Sequence, residues 1–557
     1  MEIKLQYLVP IPDWTPDERP TIPGSPSTPW HPPGRRVAYF IIGILVILTG
    51  GLGNALVSAN LANIQGELGL TPVEGAWLPA VYVMVNVSAN LLLFKARQQY
   101  GMRIFAEIGI TAYAVVTLMH LFVHNYETAV IIRAVSGFAA APMSALGIFY
   151  VLQAFPKPLM GRGICIALAV TQLPTPFAWI LSPSLMDFGT WHPLYTFELG
   201  MALCSMAGIF TLKLPPGIRI QVFEKLDFLS FLLFAPALAL VAAVLGQGRI
   251  QWWTEQPWIA FALIGALMLL LTGFFIEHHR STPLIQTRWL ATSEIIRFAL
   301  GALSVRFLLA EQTYAAGGLL KTLGMGPDQM QTLYVIILLG TVAGALSAAL
   351  AFSPKTMIPI ILTSITLIMA GAVLDHGISS QTRPHDMYLS QFMIAAAGGM
   401  FMGPLMLTGV TKALVKGTPY IVTFAVVFGM TQGMGGLAGS ALFGTFQQYR
   451  EHEYSSQITA NVDPADAVVS QRLAMQGQIY ARVITDPVLR NAEGVAQLSQ
   501  IATREANVRA YADVFVLNAL IALCFLFWSL FNVIGAARGK RTSSPTTAAA
   551  SGAPVAV

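Results

Sequence analysis

The sequence predicts an all-α polytopic membrane protein with about 14 transmembrane helices, and three observations carry that prediction. Of its 557 residues, 55% are hydrophobic and only 11% are charged, against roughly 25% charged in a soluble domain. The hydrophobic residues fall in repeated apolar blocks of about 20 residues, and ~20 residues at ~1.5 Å rise cross ~30 Å of hydrocarbon as a helix that satisfies its own backbone. The basic residues, in turn, collect in alternate connections between those blocks. Together these exclude an ordinary soluble enzyme, whose water-facing surface needs more charge. A net charge of +5 does not indicate nucleic acid, because Lys and Arg form no cluster interleaved with aromatics; they read as topology signals.

In chain order, residues 1–34 run through closely spaced prolines from Pro10 to Pro33 with acidic residues between them and no apolar core. This predicts a disordered tail and not a cleavable signal peptide. Spans are expected at 37–58, 76–94, 104–123, 129–152, 162–185, 194–212, 228–247, 258–276, 295–316, 331–352, 356–374, 388–412, 419–442 and 513–536. One set of alternate connections holds Arg35 and Arg36, then Lys95, Arg97 and Arg103, then Lys157 and Arg162, and continues through Lys213, Arg280, Lys355 and Lys412 to Arg538 and Lys540. The opposite short loops offer only Arg249, Lys321 and Arg383. By the positive-inside rule both termini are expected to be cytoplasmic. The stretch 445–512 is the exception to short loops. Its Arg482, Arg490, Arg504 and Arg509 alternate with Ile479, Val483, Val488 and Leu498, which predicts one or two amphipathic helices at the membrane face, either a linker or a partner-docking segment. Residues 538–557 form a second disordered tail.

A charge in hydrocarbon costs at least ~2.5–3.5 kcal/mol, so each intramembrane charge needs a partner, a wet cavity or a task. The candidates are Arg133 in the fourth span, Glu198 at the start of the sixth, and Arg306 with Glu311 in the ninth; Asp375 closes a span and is expected in the headgroups. Glu311 is the sharpest. It is expected to pair across helices, to change protonation, or to touch substrate. Arg306 and Glu311 lie five positions apart, which is not an i, i+4 pair.

Uncharged polar groups form a second set. Tyr82, Asn86 and Asn90 stack on one helix stripe, Asn54 lies in the first span, and Gln172, Gln391 and Gln432 lie in the fifth, twelfth and thirteenth. They either bond helix to helix or line a path. The fifth span, with Pro174, Pro176, Trp179 and Pro183, is expected to bend toward a central path. The thirteenth, with Gly429, Gly433, Gly435, Gly436 and Gly439, carries small-xxx-small patterns suited to close packing.

Cys165, Cys204 and Cys524 lie in apolar stretches without a partner at ligand spacing, so neither a disulfide nor a metal site is expected. No HExxH, GxSxG or P-loop appears, and no cofactor is expected.

These features resemble the major facilitator superfamily, specifically its fourteen-span drug:proton antiporter branch of EmrB-like transporters. The resemblance covers roughly residues 37–536. It rests on the first-span run Leu52-Gly-Asn-Ala-Leu-Val-Ser-Ala-Asn-Leu-Ala-Asn-Ile64, on Gln65-Gly-Glu-Leu-Gly69 and Trp77, on Arg133-Ala-Val-Ser-Gly137, on Gly403-Pro404 and on the long loop before the last span. Three departures stand out. Gly53 occupies the place of the family's acidic residue, Lys95-Ala-Arg-Gln-Gln-Tyr-Gly-Met-Arg103 lacks the family's Asp, and the fifth-span antiporter motif survives only as a proline-rich variant.

The resemblance implies two six-helix bundles, 35–215 and 291–537, that rock about a midplane site, with two inserted helices in 216–290. It also implies proton-driven efflux of amphipathic drugs across the bacterial inner membrane, a periplasmic membrane-fusion adaptor and an outer-membrane channel. The alternatives are a dedicated exporter of one anionic metabolite or siderophore, which Arg133 and Arg306 would suit, and, from another class, a membrane-embedded enzyme or scaffold.

Overall fold

The computed structural model describes residues 7–10, 12–20, 22–186, 191–463 and 465–542, with the side chains of residue 418 and residues 536–542 outside the description. The first bundle comprises α1 (Pro33–Ala59), with the short α2 (Leu61–Leu68) behind it, then α3 (Pro72–Tyr100), α4 (Met102–Met119), α5 (Tyr126–Gln153), α6 (Met160–Val170), α7 (Pro174–Met186) and α8 (His192–Thr211). The inserted pair is α9 (Lys225–Gln247) and α10 (Pro257–His279). The short α11 (Thr287–Leu290) leads to the second bundle of α12 (Ser293–Leu308), α13 (Gly317–Thr322), α14 (Pro327–Ala351), α15 (Met357–Asp375), α16 (Tyr388–Lys416), α17 (Thr418–Ala460), α18 (Ala467–Gln478) and α19 (Pro487–Thr542).

Local chemistry sets the ends. Thr71 accepts from Glu74 N while Glu74 accepts from Thr71 N, a reciprocal cap that starts α3 at Pro72. Asn125 caps α5 by accepting from Thr128 N. Gly101, at φ +82°, turns the chain from α3 into α4, a backbone conformation that favours glycine.

Thirteen helices among the described residues are long and apolar enough to cross a membrane. The expected span 295–316 makes the fourteenth crossing but is interrupted: α12 ends at Leu308, a π-helical turn covers Gln312–Ala316, and α13 completes the passage. The expected span 162–185 is likewise two helices. Pro174 and Pro176 have no N–H to give the preceding turn, so the chain closes α6 with short turns, Gln172 N to Ala169 O and Leu173 N to Val170 O, before α7 begins. Apolar side chains such as Phe261, Ile264, Leu267 and Phe275 on α10 point outward, which marks that helix as lipid-facing.

An even number of crossings puts the start of α1 and the end of α19 on one face, here the terminal face. The bundles meet where α6 and α7 pack on α14 and α16 and where α3 packs on α17, and the inserted α9 packs along α3. On the far face one apolar cluster joins Leu56 and Trp179 of the first bundle to Leu319, Tyr334 and Phe515 of the second.

Two expectations are corrected at the periphery. The stretch expected as a disordered tail is docked along its described part: His31 and Ser27 are buried, Gln153 bonds both His31 (3.1 Å) and Ser27 O (3.0 Å), and Lys157 donates to Pro16 O at 2.7 Å. Proline fixes the backbone, so docking this segment costs less entropy than its composition suggests. Residues 543–557 of the second expected tail lie outside the described residues. The stretch 445–512 is not a pair of helices at the membrane face. It is mostly the continuation of the last two spans, α17 at 43 residues and α19 at 56, about 65 Å and about 84 Å long, with α18 folded against α19. Arg450 Nε donates to Asp513 Oδ2 (2.6 Å) and Gln447 Nε2 to Asn507 Oδ1 (2.7 Å), which clamps the two arms together.

Candidate functional site

The polar groups of the interior gather in three places. In the second bundle, Glu311 ends the α-helical part of its span immediately before the π-turn and is fully buried. Gln391 on α16 donates through Nε2 to Glu311 Oε1 (3.3 Å) and to Asp375 Oδ2 (2.7 Å), and Asn518 on α19 donates to Glu311 Oε2 (3.5 Å). Ser390 donates to the other Asp375 oxygen, and Gln312 bonds both oxygens of Gln391. Two carboxyl groups thus share one amide, and among the described residues neither has an ion-pair partner within 4.0 Å. The expected interhelical ion pair of Glu311 is absent. Asp375, expected in the headgroups, is instead 3% exposed, because the start of α16 folds over the end of α15.

At the bundle interface, Arg306 on α12 donates from Nη1 to Gln172 Oε1 (3.2 Å) and from Nε to Gln432 O (3.3 Å). Gln172 sits at the break between α6 and α7, so the bend carries a side chain of the first bundle to a cation of the second. The glycines of α17 make room: a Cβ at Gly435 would lie 2.9 Å from Arg306 Cβ, and one at Gly439 2.5 Å from Phe307 O. They act as packing residues, and in doing so they bring Gln432 beside Arg306.

In the first bundle, Arg133 donates to Gly53 O (2.8 Å) and Asn54 Oδ1 (2.7 Å) and lies over the Tyr82 ring at 4.6 Å. Glu198, from α8, accepts from Tyr113 Oη at 2.6 Å, and Tyr113 also reaches Thr49 O. The carboxyl group fits because position 53 has no side chain: a Cβ there would meet Glu198 Oε1 at 2.6 Å. The acidic group missing from α1 is supplied at the same spot by α8.

The remaining candidates are structural in this conformation. Tyr82 bonds Gly50 O (3.3 Å), Asn86 bonds Gly137 O (3.0 Å) and Asn90 bonds Asn86 O (2.9 Å), so the stripe holds α3 to α1 and α5, and Tyr82, beneath Arg133, is its link to the first-bundle group. Trp179 stacks on Tyr334 at 4.8 Å with Lys321 over its ring at 4.6 Å, and Gln331 donates to Ile180 O, a lock between the bundles on the far face.

Sequence reasoning missed one cluster. On the terminal face Lys95 Nζ lies 2.7 Å from Asp227 Oδ2, Arg280 lies 2.8 Å from Asp227 Oδ1, and Arg280 also pairs with Glu277 (3.1 Å) and Glu224 (2.9 Å). It pins the inserted helices to the end of α3. Its members sit at span ends, where charges read as topology; Asp227 at the very start of an apolar run was the available signal. Among the described residues no group of His, Cys, Asp or Glu side chains is placed to hold a metal ion.

The chain is 20% identical over 501 residues to the colistin resistance protein EmrB of Acinetobacter baumannii, covering 87% of this chain and 93% of that one. It is 20% identical to the fatty acid resistance protein FarB of Neisseria gonorrhoeae, covering 80% and 88%. The match to the multidrug efflux pump SdrM of Staphylococcus aureus is 21% identical and takes in 51% of this chain and 63% of that pump's length. Among solved structures, the human organic anion transporter MFSD10 superposes with a TM-score of 0.53 and the proton:xylose symporter XylE with 0.51, each at 13% identity and over 88% of this chain and 100% and 96% of theirs. The family model described as Major Facilitator Superfamily matches residues 43–440, and with the helical architecture above it shows that the chain is a multi-pass membrane protein of that superfamily.

Proposed function

We propose that the chain is a proton-driven exporter of amphipathic organic compounds in the bacterial inner membrane, with the terminal face cytoplasmic. The observation that carries this reading is the Glu311–Gln391–Asp375 arrangement. Two buried carboxyl groups on one donor and without a cation repel each other when both are ionised, and a shared proton removes the repulsion. The π-turn directly after Glu311 lets that span change register without breaking its neighbours, so movement of the second bundle alters the spacing of the pair and its hold on a proton. Arg133 and Glu198 form a second, smaller polar group that follows the first bundle. Residues 35–215 and 291–537 are the rocking bodies, and 216–290 rides on the first through the Lys95–Asp227 pair.

Relatives named for colistin and fatty acid resistance and for multidrug efflux support export of amphipathic compounds. A tripartite assembly with a periplasmic adaptor and an outer-membrane channel is part of the proposal. The long clamped arms support it, since Ile479, Val483 and Val488 are left exposed there, apolar surface of the kind that partners cover. The second reading, a dedicated exporter of one anionic metabolite or siderophore, is favoured by the unpaired Arg306. Proteoliposomes loaded with substrate decide the main claim: efflux is expected to rise with an imposed pH gradient, and movement indifferent to both pH gradient and potential sinks it.

A further inference from the structure

We infer that Arg306, Gln172 and Gln432 form the point at which an anionic amphipathic substrate, an organic carboxylate with an apolar tail, docks by its head. This rests on the transport reading above but not on proton coupling.

Hydrogen-bond supply and demand at the interface point to an anion. A guanidinium has five N–H donors, and the protein accepts from Arg306 only at Nε and Nη1. Nη2 has no acceptor among the described residues. Gln432 adds a second surplus: its side-chain amide is shut away from bulk solvent and neither its nitrogen nor its oxygen has a partner. Gln172 already turns its own nitrogen back to Thr171 Oγ1 (3.3 Å), leaving its oxygen for Arg306. The interface therefore offers a full positive charge with a planar fork and an idle amide, and it lacks a negatively charged acceptor. A carboxylate matches this need, because a planar fork binds it through two parallel bonds.

Position supports the same conclusion. Arg306 lies near the middle of the interrupted ninth span, Gln172 at the break of the fifth and Gln432 halfway along the membrane part of α17, so the three meet near midplane and come from both bundles. All three remain partly exposed although they lie among packed helices, so space adjoins them. The surroundings suit a tail: Val87 touches Gly433, and Met430 and Met434 stand partly buried beside it, flexible side chains that adapt to varied shapes. An anion on Arg306 would compete with the Gln172 oxygen for the bond that now joins the bundles, which couples binding to their separation.

The test measures equilibrium binding to the full chain in nanodiscs at one fixed pH with no gradient, using dodecanoate and, as its cationic counterpart, dodecyltrimethylammonium. Wild type is expected to prefer dodecanoate. Arg306→Gln and Gln432→Leu should each weaken dodecanoate binding, the former by about tenfold or more, while Arg306→Lys falls between and dodecyltrimethylammonium binding stays as in wild type, which also certifies folding. The inference is overturned if wild type fails to bind dodecanoate, if Arg306→Gln binds it normally, or if anion and cation are lost together in all three variants. Because no proton gradient enters, a failure of proton coupling leaves these outcomes readable.

Discussion

Replacing Gly53 with alanine tests the packing by which α8 delivers a carboxyl group to α1. The new Cβ would lie 2.6 Å from Glu198 Oε1, 2.8 Å from Tyr113 Oη and 3.3 Å from Glu198 Cδ, where ordinary contact begins at 3.4 Å. Glu198 must then retreat by about 0.8 Å, since buried atoms at such separations repel steeply. That displacement breaks the 2.6 Å bond from Tyr113. Overpacking costs about 1–3 kcal/mol and a lost buried hydrogen bond about 1–3 kcal/mol; the two overlap, so the expected loss is about 2–4 kcal/mol. A double-mutant cycle with Glu198→Ala, read by reversible unfolding in mixed micelles, isolates the cause. Glu198→Ala removes one of the two close contacts, and Tyr113→Phe added to it removes the other, so Gly53→Ala on that combined background should cost less than about 0.5 kcal/mol. An equal cost with and without Glu198, or a single variant as stable as wild type, refutes the reasoning.

Two further outcomes follow from the terminal face. Asp227→Asn leaves Lys95, itself 6% exposed, facing a neutral amide; a buried pair broken on one side costs about 3–5 kcal/mol, visible as faster hydrogen exchange in α9 and α10. The paired variant Lys95→Met with Asp227→Leu leaves no uncompensated lysine, and Arg280 keeps Glu224 and Glu277, so part of that protection should return. His31 gives a pH dependence. Burial, with help from Arg35 and Arg36 and against the hydrogen bond to Gln153, holds its imidazole below the ordinary 6.5. The docked state therefore disfavours the proton, so docking is intact above pH 6.5 and weakens as pH falls below it. Hydrogen-exchange protection over residues 22–32, taken relative to the intrinsic amide rate at each pH, should fall in that direction in wild type and lose this dependence in His31→Gln.

The spans themselves were legible from hydropathy, because lipid imposes length and apolarity on every crossing. Depth was less so. Asp375 ends its apolar run and reads as a headgroup residue, yet α16 covers it; the position of a residue along its own helix does not reveal what a neighbouring helix does above it. Glu311 stands out in the sequence as a mid-span carboxyl, but its neighbours Gln391, Asp375 and Asn518 come from three other helices, and no spacing along the sequence links them. The proline-rich fifth span announced a break, and the break sets Gln172 against Arg306. The glycines of α17 announced close packing without naming α12 as the partner. The apolar residues of 445–512 signal amphipathic helices, but nothing in their spacing shows that these helices continue α17 and α19 and pack on each other through Arg450–Asp513 and Gln447–Asn507.

The central claim is that Glu311 and Asp375 hold a proton that substrate binding displaces. Its most direct test is to mix substrate with purified protein in weakly buffered detergent solution and record the pH. Wild type is expected to release about one proton per substrate bound, as a shared carboxyl pair would; Glu311→Gln should bind substrate and release none. Undiminished release from Glu311→Gln, or binding by wild type with no proton change at any pH between about 5 and 8, contradicts the account.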